Sequence, residues 1–263
     1  MPDIDKTKVR TAFDRAAATY DVNAQFQHRI CERLAAWLSI WEIAVPDRPR
    51  ILDAGCGTGY GAELLRSSWP GAHITACDLS PAMLQKAIAR GIDAICADLE
   101  RLSFATSSID FCWSSLTLQW CRPAIVFPEL FRVIVPGGTL AFSTLGPGTL
   151  HELEFAFSGV DNYRHVLPFY GVDEIESALA AAGFSDIRIE SETWTTHHPD
   201  LKTLFSSIRG VGANQAGSDS RRTLMGKTAW RNAVARYETL RGEDGQLPTS
   251  YTVYFARATK TAA

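Results

Sequence analysis

The sequence predicts an α/β fold, a mostly parallel sheet of seven strands with helices on both faces. Short apolar runs alternate with helix-like segments between residues 50 and 145, and a glycine-rich turn follows the first of these runs. Repeated alternation of strand and helix is typical of parallel sheets, because a crossover is needed to start each new strand at the same edge. A length of 263 residues suits one such domain with insertions.

The first predicted elements are helical. Residues 5–42 carry aromatic and aliphatic side chains at helical spacing, which predicts one or two helices, and the segment VPDRPR ends this pattern. Ser80 and Pro81 suit the N-cap and first position of a later helix. In the core, we predict strands at 50–54, 73–77, 93–97, 109–115 and 137–144, and helices at 59–68, 81–90 and 122–134.

Beyond residue 145 the alternation becomes less regular. The tail 250–259 alternates apolar and polar side chains, which predicts an antiparallel strand at the edge of the sheet. A helical insertion is expected before this last strand, and the N-terminal helices are expected to form a lid. The other predicted elements are a loop and helix at 145–157, a helix at 172–182 closed by Gly183, a strand at 186–197, and helices within 199–241.

The composition is that of a soluble globular protein, with 46% hydrophobic and 21% charged residues. No apolar stretch reaches membrane-spanning length and the N-terminus is charged, so we expect a cytoplasmic protein with no membrane partner. The six cysteines lack C-x-x-C spacing, which favours reduced, buried thiols over disulfides or zinc, and no metal site is expected. We expect the adjacent His197 and His198 to form a solvated loop pair.

Charge is distributed unevenly along the chain. The net charge of −3 predicts no nucleic-acid partner. Residues 201–241, however, contain eight basic side chains and two acidic ones. Such a basic segment on an acidic protein is either a docking face for an anionic partner or a solvated helix face, and both interpretations stay open at this point.

Residues 51–61, ILDAGCGTGYG, hold the most informative motif. A strand end containing Asp53 runs into a turn with four glycines, which let the backbone turn sharply and approach a ligand closely. The next two apolar runs end in Asp78 and Asp98. Nicotinamide enzymes use a similar turn but usually show G-x-G-x-x-G, whereas this one reads D-x-G-x-G-x-G. The pattern resembles the class I S-adenosylmethionine-dependent methyltransferases, whose sheet is Rossmann-like.

This resemblance implies S-adenosylmethionine as the cofactor. Asp78 is then placed to accept two hydrogen bonds from the ribose hydroxyls, a charge-assisted pairing that is stronger than a neutral one. Asp98 and the Leu99 backbone are placed to meet the adenine amino edge, and Asp53 is expected to face the methionine ammonium. The alternative for Asp78 and Asp98 is a helix cap or a turn, although Ser80 already supplies the cap next to Asp78.

Smaller and apolar residues complete the expected cofactor site. Gly55 and Gly57 are expected to leave room for the methionine part. Leu79 and Met83 are expected to flank the adenine ring. Ser115, at the end of its strand, is expected to lie under the methionine portion.

Four further segments narrow the resemblance. Together they resemble the malonyl-acyl carrier protein O-methyltransferases of biotin synthesis, and the likeness spans nearly the whole chain. It implies one methyltransferase domain over 1–263, with a lid at 1–45, a cofactor-binding core at 46–145 and a substrate- and partner-facing part at 146–263. The segments are FDRAAATYDVNAQFQ at 13–27, LTLQWC at 116–121, FSTLGPGTLHEL at 142–153 and the tail at 225–260.

The implied reaction is methyl transfer to the free carboxylate of malonyl-acyl carrier protein, which gives the methyl ester that primes pimeloyl synthesis for biotin. A malonyl carboxylate is ionised at neutral pH, so no general base is needed. Catalysis can then rest on proximity and alignment, worth up to about 7–11 kcal/mol. Tyr20 and Gln25 of the lid are expected to close over the sulfonium and to position the carboxylate.

The acceptor pocket is expected at the carboxyl ends of the strands, where open α/β sheets bind ligands. Trp120 and Thr144 are expected to line it. A carboxylate acceptor also requires a cation or several donors, and the candidates are Arg29, Arg164 and His165.

The resemblance also implies an acidic acyl carrier protein as the partner. The basic segment would steer such a protein and raise its association rate more than its final affinity. We expect Arg221, Arg222, Lys227 and Arg231 to contribute to this docking.

Other functions remain open. A methyltransferase for a small free carboxylic acid, of the trans-aconitate type, would share the lid motif but would not need a basic docking face. A cofactor-binding subunit without catalysis is disfavoured, because a protein that had lost catalysis would have no physical need to keep the glycine turn and both acidic strand ends. A nucleic-acid methyltransferase is disfavoured, because the Asn/Asp-Pro-Pro-aromatic motif is missing from the sequence.

Overall fold

The computed structural model describes residues 4–160, 162–213 and 226–262. The strands in these ranges are β1 (Arg50–Ala54), β2 (His73–Asp78), β3 (Asp93–Cys96), β4 (Ile109–Ser115), β5 (Ile134–Leu145), β6 (Phe184–His198) and β7 (Leu247–Lys260). The helices are α1 (Lys6–Ala16), α2 (Tyr20–Asn23), α3 (Gln25–Ile40), α4 (Tyr60–Ser68), α5 (Pro81–Ala89), α6 (Pro123–Val133), α7 (His151–Phe157), α8 (Val172–Ala182), α9 (Leu201–Gly210) and α10 (Lys227–Glu238), with a 3₁₀ turn at Leu118–Trp120.

The seven strands form one sheet in the order β3-β2-β1-β4-β5-β7-β6. Strands β1 to β5 are parallel, whereas β7 runs antiparallel to both of its neighbours, β5 and β6. The predicted α/β fold with a mostly parallel sheet is therefore confirmed. The strand order reverses between β1 and β4, which creates a crevice at their carboxyl ends.

The prediction that the tail strand lies at the sheet edge is wrong. Strand β7 lies between β5 and β6, and β6 forms the edge. Both faces of β7 are covered, since Val253 and Phe255 pack into one core cluster and Tyr254 and Ala256 into another. The positions between Val253 and Phe255 and beyond hold tyrosine and alanine, which can be buried as well. Alternation of residue types therefore does not by itself identify an edge strand.

Helices cover both faces of the sheet. Leu52 of β1 packs in a cluster with Leu130 of α6 and with α8, while the preceding Ile51 packs in a second cluster with Leu34 of α3 and with α4. Adjacent strand residues point to opposite faces, so each strand contributes to two cores. This two-sided burial explains the long apolar runs in the sequence.

The N-terminal region forms three helices, where the sequence predicts one or two. Helix α3 belongs to the protein core, because Ile30, Leu34 and Leu38 pack against the sheet. Helices α1 and α2 instead lie over the carboxyl ends of the strands. The first turns of α3 also border these strand ends, so the position that a lid requires is shared by α1, α2 and the start of α3.

The helical insertion between the last two strands is confirmed. Helices α9 and α10 pack with α7 through a separate cluster that includes Leu153, Leu204 and Tyr237. No helix in the described part of the chain is both long and apolar enough to cross a membrane. All six cysteines carry free thiols; five are buried and Cys96 is exposed on strand β3.

Candidate active site

A first cavity lies at the carboxyl ends of β1, β2 and β4, covered by the N-terminal helices. It occupies the crevice where open α/β sheets bind ligands. Eight of the nine residues predicted to bind the cofactor line it, namely Asp53, Gly55, Gly57, Asp78, Leu79, Asp98, Leu99 and Ser115.

The ninth residue, Met83, needs a correction. It is 0% exposed and packs under the end of α1, against Ala16 and Ala17, and not along the first cavity. Its position in the first turn of α5 directs the side chain toward the covering helices. Leu79 is therefore the apolar side chain that the structure leaves beside the expected adenine position.

Two glycines of the segment 51–61 lie very close to neighbouring side chains. Gly55 has φ +79°, and a Cβ there would stand 2.2 Å from a side-chain atom of Thr117, so the space beside Gly55 is already filled. At Gly61 a Cβ would come within 2.9 Å of Trp113 Nε1 and 3.2 Å of Asp53 Oδ2. A Cβ at Gly57, in contrast, would meet no atom within 4 Å, so of the two glycines expected to leave room for the methionine part, Gly57 has open space beside it and Gly55 does not.

Asp78 at the end of β2 is held by backbone donors. Its Oδ2 accepts a hydrogen bond from Gly57 N at 2.9 Å, and its Oδ1 accepts one from Ser80 N at 2.8 Å. Burial raises the pKa of Asp78, although these amides oppose the increase. Each carboxylate oxygen keeps further lone pairs, so the group can accept additional hydrogen bonds from a ligand.

Asp98 is engaged by a lysine that the sequence analysis did not single out. Lys6 Nζ of α1 donates to Asp98 Oδ1 at 2.7 Å and lies 3.4 Å from Glu100 Oε1. Burial works to raise the pKa of Asp98, but the hydrogen bond and charge of Lys6 outweigh it and hold the pKa below its ordinary value. Lys6 lines the first cavity and ties α1 to the wall that contains Asp98.

Asp53 is the most deeply buried carboxylate of the first cavity, at 2% exposure. Its Oδ2 has no hydrogen-bond partner within the described residues. Burial and the nearby charge of Asp78 raise the pKa of Asp53 to about 7, with the Ala62 amide opposing. Because the charges of Asp53 and Asp78 repel each other, a cationic ligand beside them would stabilise both carboxylates.

Two aspartates fasten the N-terminal helices over the first cavity. Asp14 Oδ1 accepts hydrogen bonds from Ser80 Oγ at 2.6 Å and from Ala82 N at 3.2 Å. Asp21 accepts hydrogen bonds from Thr58 Oγ1 at 2.6 Å and from Arg90 Nη2 at 2.7 Å. Both aspartates belong to the segment FDRAAATYD, which was singled out by resemblance without a role for either.

Tyr20 lies between these two fastening points and lines both the first cavity and a second one beside it. Burial and the charge of Asp78 raise the pKa of Tyr20 well above its ordinary value. The phenol therefore stays protonated and can donate a hydrogen bond at the boundary between the cavities.

The second cavity has a volume of about 750 Å³, which is in the range of small-molecule pockets. Among its lining residues are the lid residue Gln25 and four of the residues suggested for the acceptor pocket, namely Arg29, Trp120, Arg164 and His165. The Arg29 guanidinium carbon lies 4.9 Å from the centre of the Trp194 ring. The structure thus brings Arg29, Arg164 and His165 to one cavity.

The predicted position of Thr144 needs a correction. It is 4% exposed and lines a small separate hollow with Phe127 and Tyr170, outside the second cavity. Its hydroxyl lies 3.4 Å from Gln119 Oε1, and Gln119 is the polar side chain that reaches the second cavity. Strand β5 turns this residue to the opposite side, which strand length alone does not reveal.

His197 and His198 lie on a strand and not in a loop; His197 is exposed, as predicted, whereas His198 is half-buried. They end strand β6 and line the second cavity. Burial lowers the pKa of His198, and the neighbouring His197 adds to the decrease. The predicted strand ended one residue before the observed end of β6, and the sequence analysis gave neither histidine a role in a site.

The predicted docking residues are only partly described. Lys227 and Arg231 are exposed on α10. Arg221 and Arg222 lie outside the described residues. Within residues 4–160, 162–213 and 226–262, no three His, Cys, Asp or Glu side chains come together as a metal-binding group.

Comparison with known proteins identifies the family. A family model described as a methyltransferase domain matches residues 52–142. A malonyl-[acyl-carrier protein] O-methyltransferase of Herminiimonas arsenicoxydans is 50% identical over 263 residues, covering 100% of this chain and 99% of that protein. A protein of the same name from Dechloromonas aromatica is 44% identical, covering 97% of this chain and 95% of its own length.

A solved structure supports the fold. The SAM-dependent methyltransferase of Thermotoga maritima, a possible histamine N-methyltransferase, matches with a TM-score of 0.58. It is 18% identical and the match covers 96% of this chain and 100% of that one, which shows a shared fold alone. Since sequence identity to the curated relatives extends over almost the entire length of both partners, the chain belongs to the malonyl-[acyl-carrier protein] O-methyltransferase family.

Proposed function

We propose that this protein transfers a methyl group from S-adenosylmethionine to the free carboxylate of malonyl-acyl carrier protein. The product is the malonyl methyl ester that primes pimeloyl synthesis for biotin. The observation that carries this proposal is the 50% identity, over the whole chain, to a relative with this activity in its name. The two adjoining cavities support it, since one suits an adenosyl ligand and the other a separate acceptor.

The residues of the first cavity fit the cofactor. Asp78 can accept hydrogen bonds from the vicinal ribose hydroxyls, and Asp98 from the adenine amino group. Asp53 Oδ2 is buried with no partner among the described residues, as a site for an ammonium group requires. Open space for the methionine part lies beside Gly57, where a Cβ would meet no atom within 4 Å.

When bound, S-adenosylmethionine supplies a sulfonium methyl group that a carboxylate oxygen displaces, with the electron pair left on sulfur. The protein has no proton to move in this reaction, because the acceptor carboxylate is already ionised. Its task is to align the acceptor with the methyl group and to exclude water. Tyr20 lies at the boundary of the two cavities and Gln25 in the wall of the second, so both are placed to orient the carboxylate.

The second cavity suits an acceptor carried on a long arm. Its volume of about 750 Å³ exceeds what a malonyl group alone would fill. Arg29 and His165 contribute positive or hydrogen-bonding groups, while Trp120 contributes an apolar wall. We assign the carboxylate to the end near Tyr20 and Trp120, where the two cavities meet, and the thioester arm to the remainder.

The carrier protein is proposed to dock on the basic helical insertion. Lys227 and Arg231 are exposed on one side of α10, four residues apart, and Arg221 and Arg222 precede that helix in the sequence. Positive charge on this surface would speed the encounter with an acidic partner.

Transfer of a labelled methyl group to malonyl-acyl carrier protein tests the function, with malonyl-CoA and trans-aconitate assayed in parallel. The proposal expects the carrier-bound substrate to be preferred by at least tenfold in kcat/KM. Labelling of trans-aconitate alone would contradict the proposed acceptor while leaving the fold and family in place. Equal use of malonyl-CoA and malonyl-acyl carrier protein would contradict the docking surface.

A further inference from the structure

Unpartnered polar atoms gather in one wall of the first cavity. Among the described residues, four side-chain atoms that are buried without a hydrogen-bond partner belong to residues lining it: Gln27 Oε1, His28 Nε2, Asp53 Oδ2 and Trp113 Nε1. A buried polar atom without a hydrogen-bond partner destabilises a protein, because it has lost its bonds to water and gained none in return. Such a cluster at a cavity wall indicates that a ligand completes the hydrogen bonds.

The sheet supplies the inner part of this wall. Trp113 Nε1 and Asp53 Oδ2 both pack closely against the backbone of Gly61, since a Cβ built there would lie 2.9 Å from the first atom and 3.2 Å from the second. Both residues are almost completely buried, at 0% and 2% exposure. Cys31 Sγ lies 3.5 Å from the same Cβ position.

Helix α3 supplies the outer part of the wall. Gln27 and His28 are consecutive and half-buried on its first turns. The His28 ring stacks on Tyr60 with the ring centres 4.0 Å apart, and its Nε2 lies 3.9 Å from Asp21 Oδ1, beyond hydrogen-bond length. Burial lowers the pKa of His28, so its neutral ring has one donor and one acceptor nitrogen.

The chemistry of these atoms matches a zwitterion. A carboxylate oxygen and an amide oxygen only accept hydrogen bonds, whereas an indole N–H only donates. An α-amino-acid group presents an ammonium with three donors next to a carboxylate that only accepts. Ribose and adenine do not combine these features, and the adenosyl part already has Asp78 and Asp98 as partners on the other side of the cavity.

We propose that Gln27 and Trp113 are cofactor-binding residues that, together with Asp53, hold the α-amino-acid group of S-adenosylmethionine. Gln27 Oε1 and Asp53 Oδ2 accept hydrogen bonds from the ammonium, and Trp113 Nε1 donates to the carboxylate. The proposal depends on the proposed function through its cofactor. Because Gln27 belongs to α3 and the other two belong to the sheet, the amino-acid group bridges the N-terminal helices and the core.

The test compares two ligands that share the adenosine and the thioether. S-adenosylhomocysteine contains the amino-acid group and 5′-methylthioadenosine lacks it, and isothermal titration calorimetry measures the affinity of each. Gln27→Ala and Trp113→Phe should weaken S-adenosylhomocysteine at least tenfold and 5′-methylthioadenosine less than twofold. Trp37→Phe is the matched control, since Trp37 Nε1 is also buried without a partner but lies outside the cavity.

Each result supports or overturns the proposal. Equal losses for both ligands, or no loss for S-adenosylhomocysteine, would overturn it. Gln27 is only half-buried, so Gln27→Ala gives a decisive result even where Trp113→Phe lowers the thermal stability. A wild-type protein that binds neither ligand would overturn the cofactor assignment and this proposal with it, whereas binding without methyl transfer to malonyl-acyl carrier protein would contradict only the proposed acceptor.

Discussion

The two cavities differ in the elements that build them. The first is made mainly from the ends of β1, β2 and β4, and aspartates lie at or near the ends of β1, β2 and the adjacent β3, of which Asp78 is held by two backbone amides. The second is made from the N-terminal helices, the end of β6 and α9, and its wall contains arginines and histidines. The sheet therefore positions a site that many proteins of this fold can share, whereas elements added around the sheet position the acceptor site.

Removing the carboxylate of Asp78 should produce the largest effect of the proposed substitutions. That effect should be confined to ligand binding in the first cavity. Asp78→Ala is expected to weaken S-adenosylhomocysteine by at least about 100-fold, because two charge-assisted hydrogen bonds of about 1.5–3 kcal/mol each are lost. Calorimetry measures the affinity. Asp110→Ala is the control, since Asp110 pairs with Arg50 at the other end of the sheet; a similar loss there would mean general destabilisation.

Tyr20→Phe tests whether the hydroxyl group at the boundary of the two cavities positions the acceptor. It should lower kcat for methyl transfer about tenfold or more, because a poorly aligned acceptor reacts slowly. The affinity for S-adenosylhomocysteine should change less than about twofold if the hydroxyl acts on the acceptor. Tyr170→Phe, next to the small separate hollow, is the control. Unchanged turnover would remove Tyr20 from the proposed mechanism.

The pH dependence of cofactor affinity tests the charge in the first cavity. Burial and Asp78 raise the pKa of Asp53 to about 7, and a bound ammonium would favour its ionised form and lower that pKa. Binding must then release a proton below pH 7, so the affinity for S-adenosylhomocysteine should fall by up to about tenfold per pH unit as the pH decreases.

Two controls separate Asp53 from the other titrating groups, Asp78 and His28. Asp53→Asn should flatten the pH profile of S-adenosylhomocysteine binding. Wild-type binding of 5′-methylthioadenosine, which lacks the ammonium, should also vary little between pH 6 and 8. A steep profile in either control would assign the titration to a different group.

Charge reversal on α10 should produce the smallest effect, and it should change only the kinetics with the carrier-bound substrate. Lys227→Glu with Arg231→Glu is expected to raise KM for malonyl-acyl carrier protein several-fold, because exposed charges act mainly on association. KM for malonyl-CoA should stay unchanged. Lys86→Glu, exposed on α5 beside the first cavity, is the matched control. Equal increases for both substrates would contradict docking on α10.

The three aspartates of the first cavity could be predicted because they follow a simple rule. Asp53, Asp78 and Asp98 each come at or just after the end of an apolar run, and the ends of parallel strands meet at one edge of the sheet. Met83 and Thr144 could not be placed in this way. Whether a side chain faces the cavity depends on helix rotation and strand pleat, and a shift of one residue reverses the answer.

The sequence by itself determined the seven strands, their mostly parallel arrangement, the glycine turn and the family, because periodicity and motifs are local properties of the chain. Only the tertiary structure decided that β7 lies inside the sheet and that Lys6 reaches Asp98, 92 positions away. It also brought Gln27 to the same wall as Trp113. A local pattern indicates which side of an element is buried, whereas the packing of distant elements decides what it is buried against.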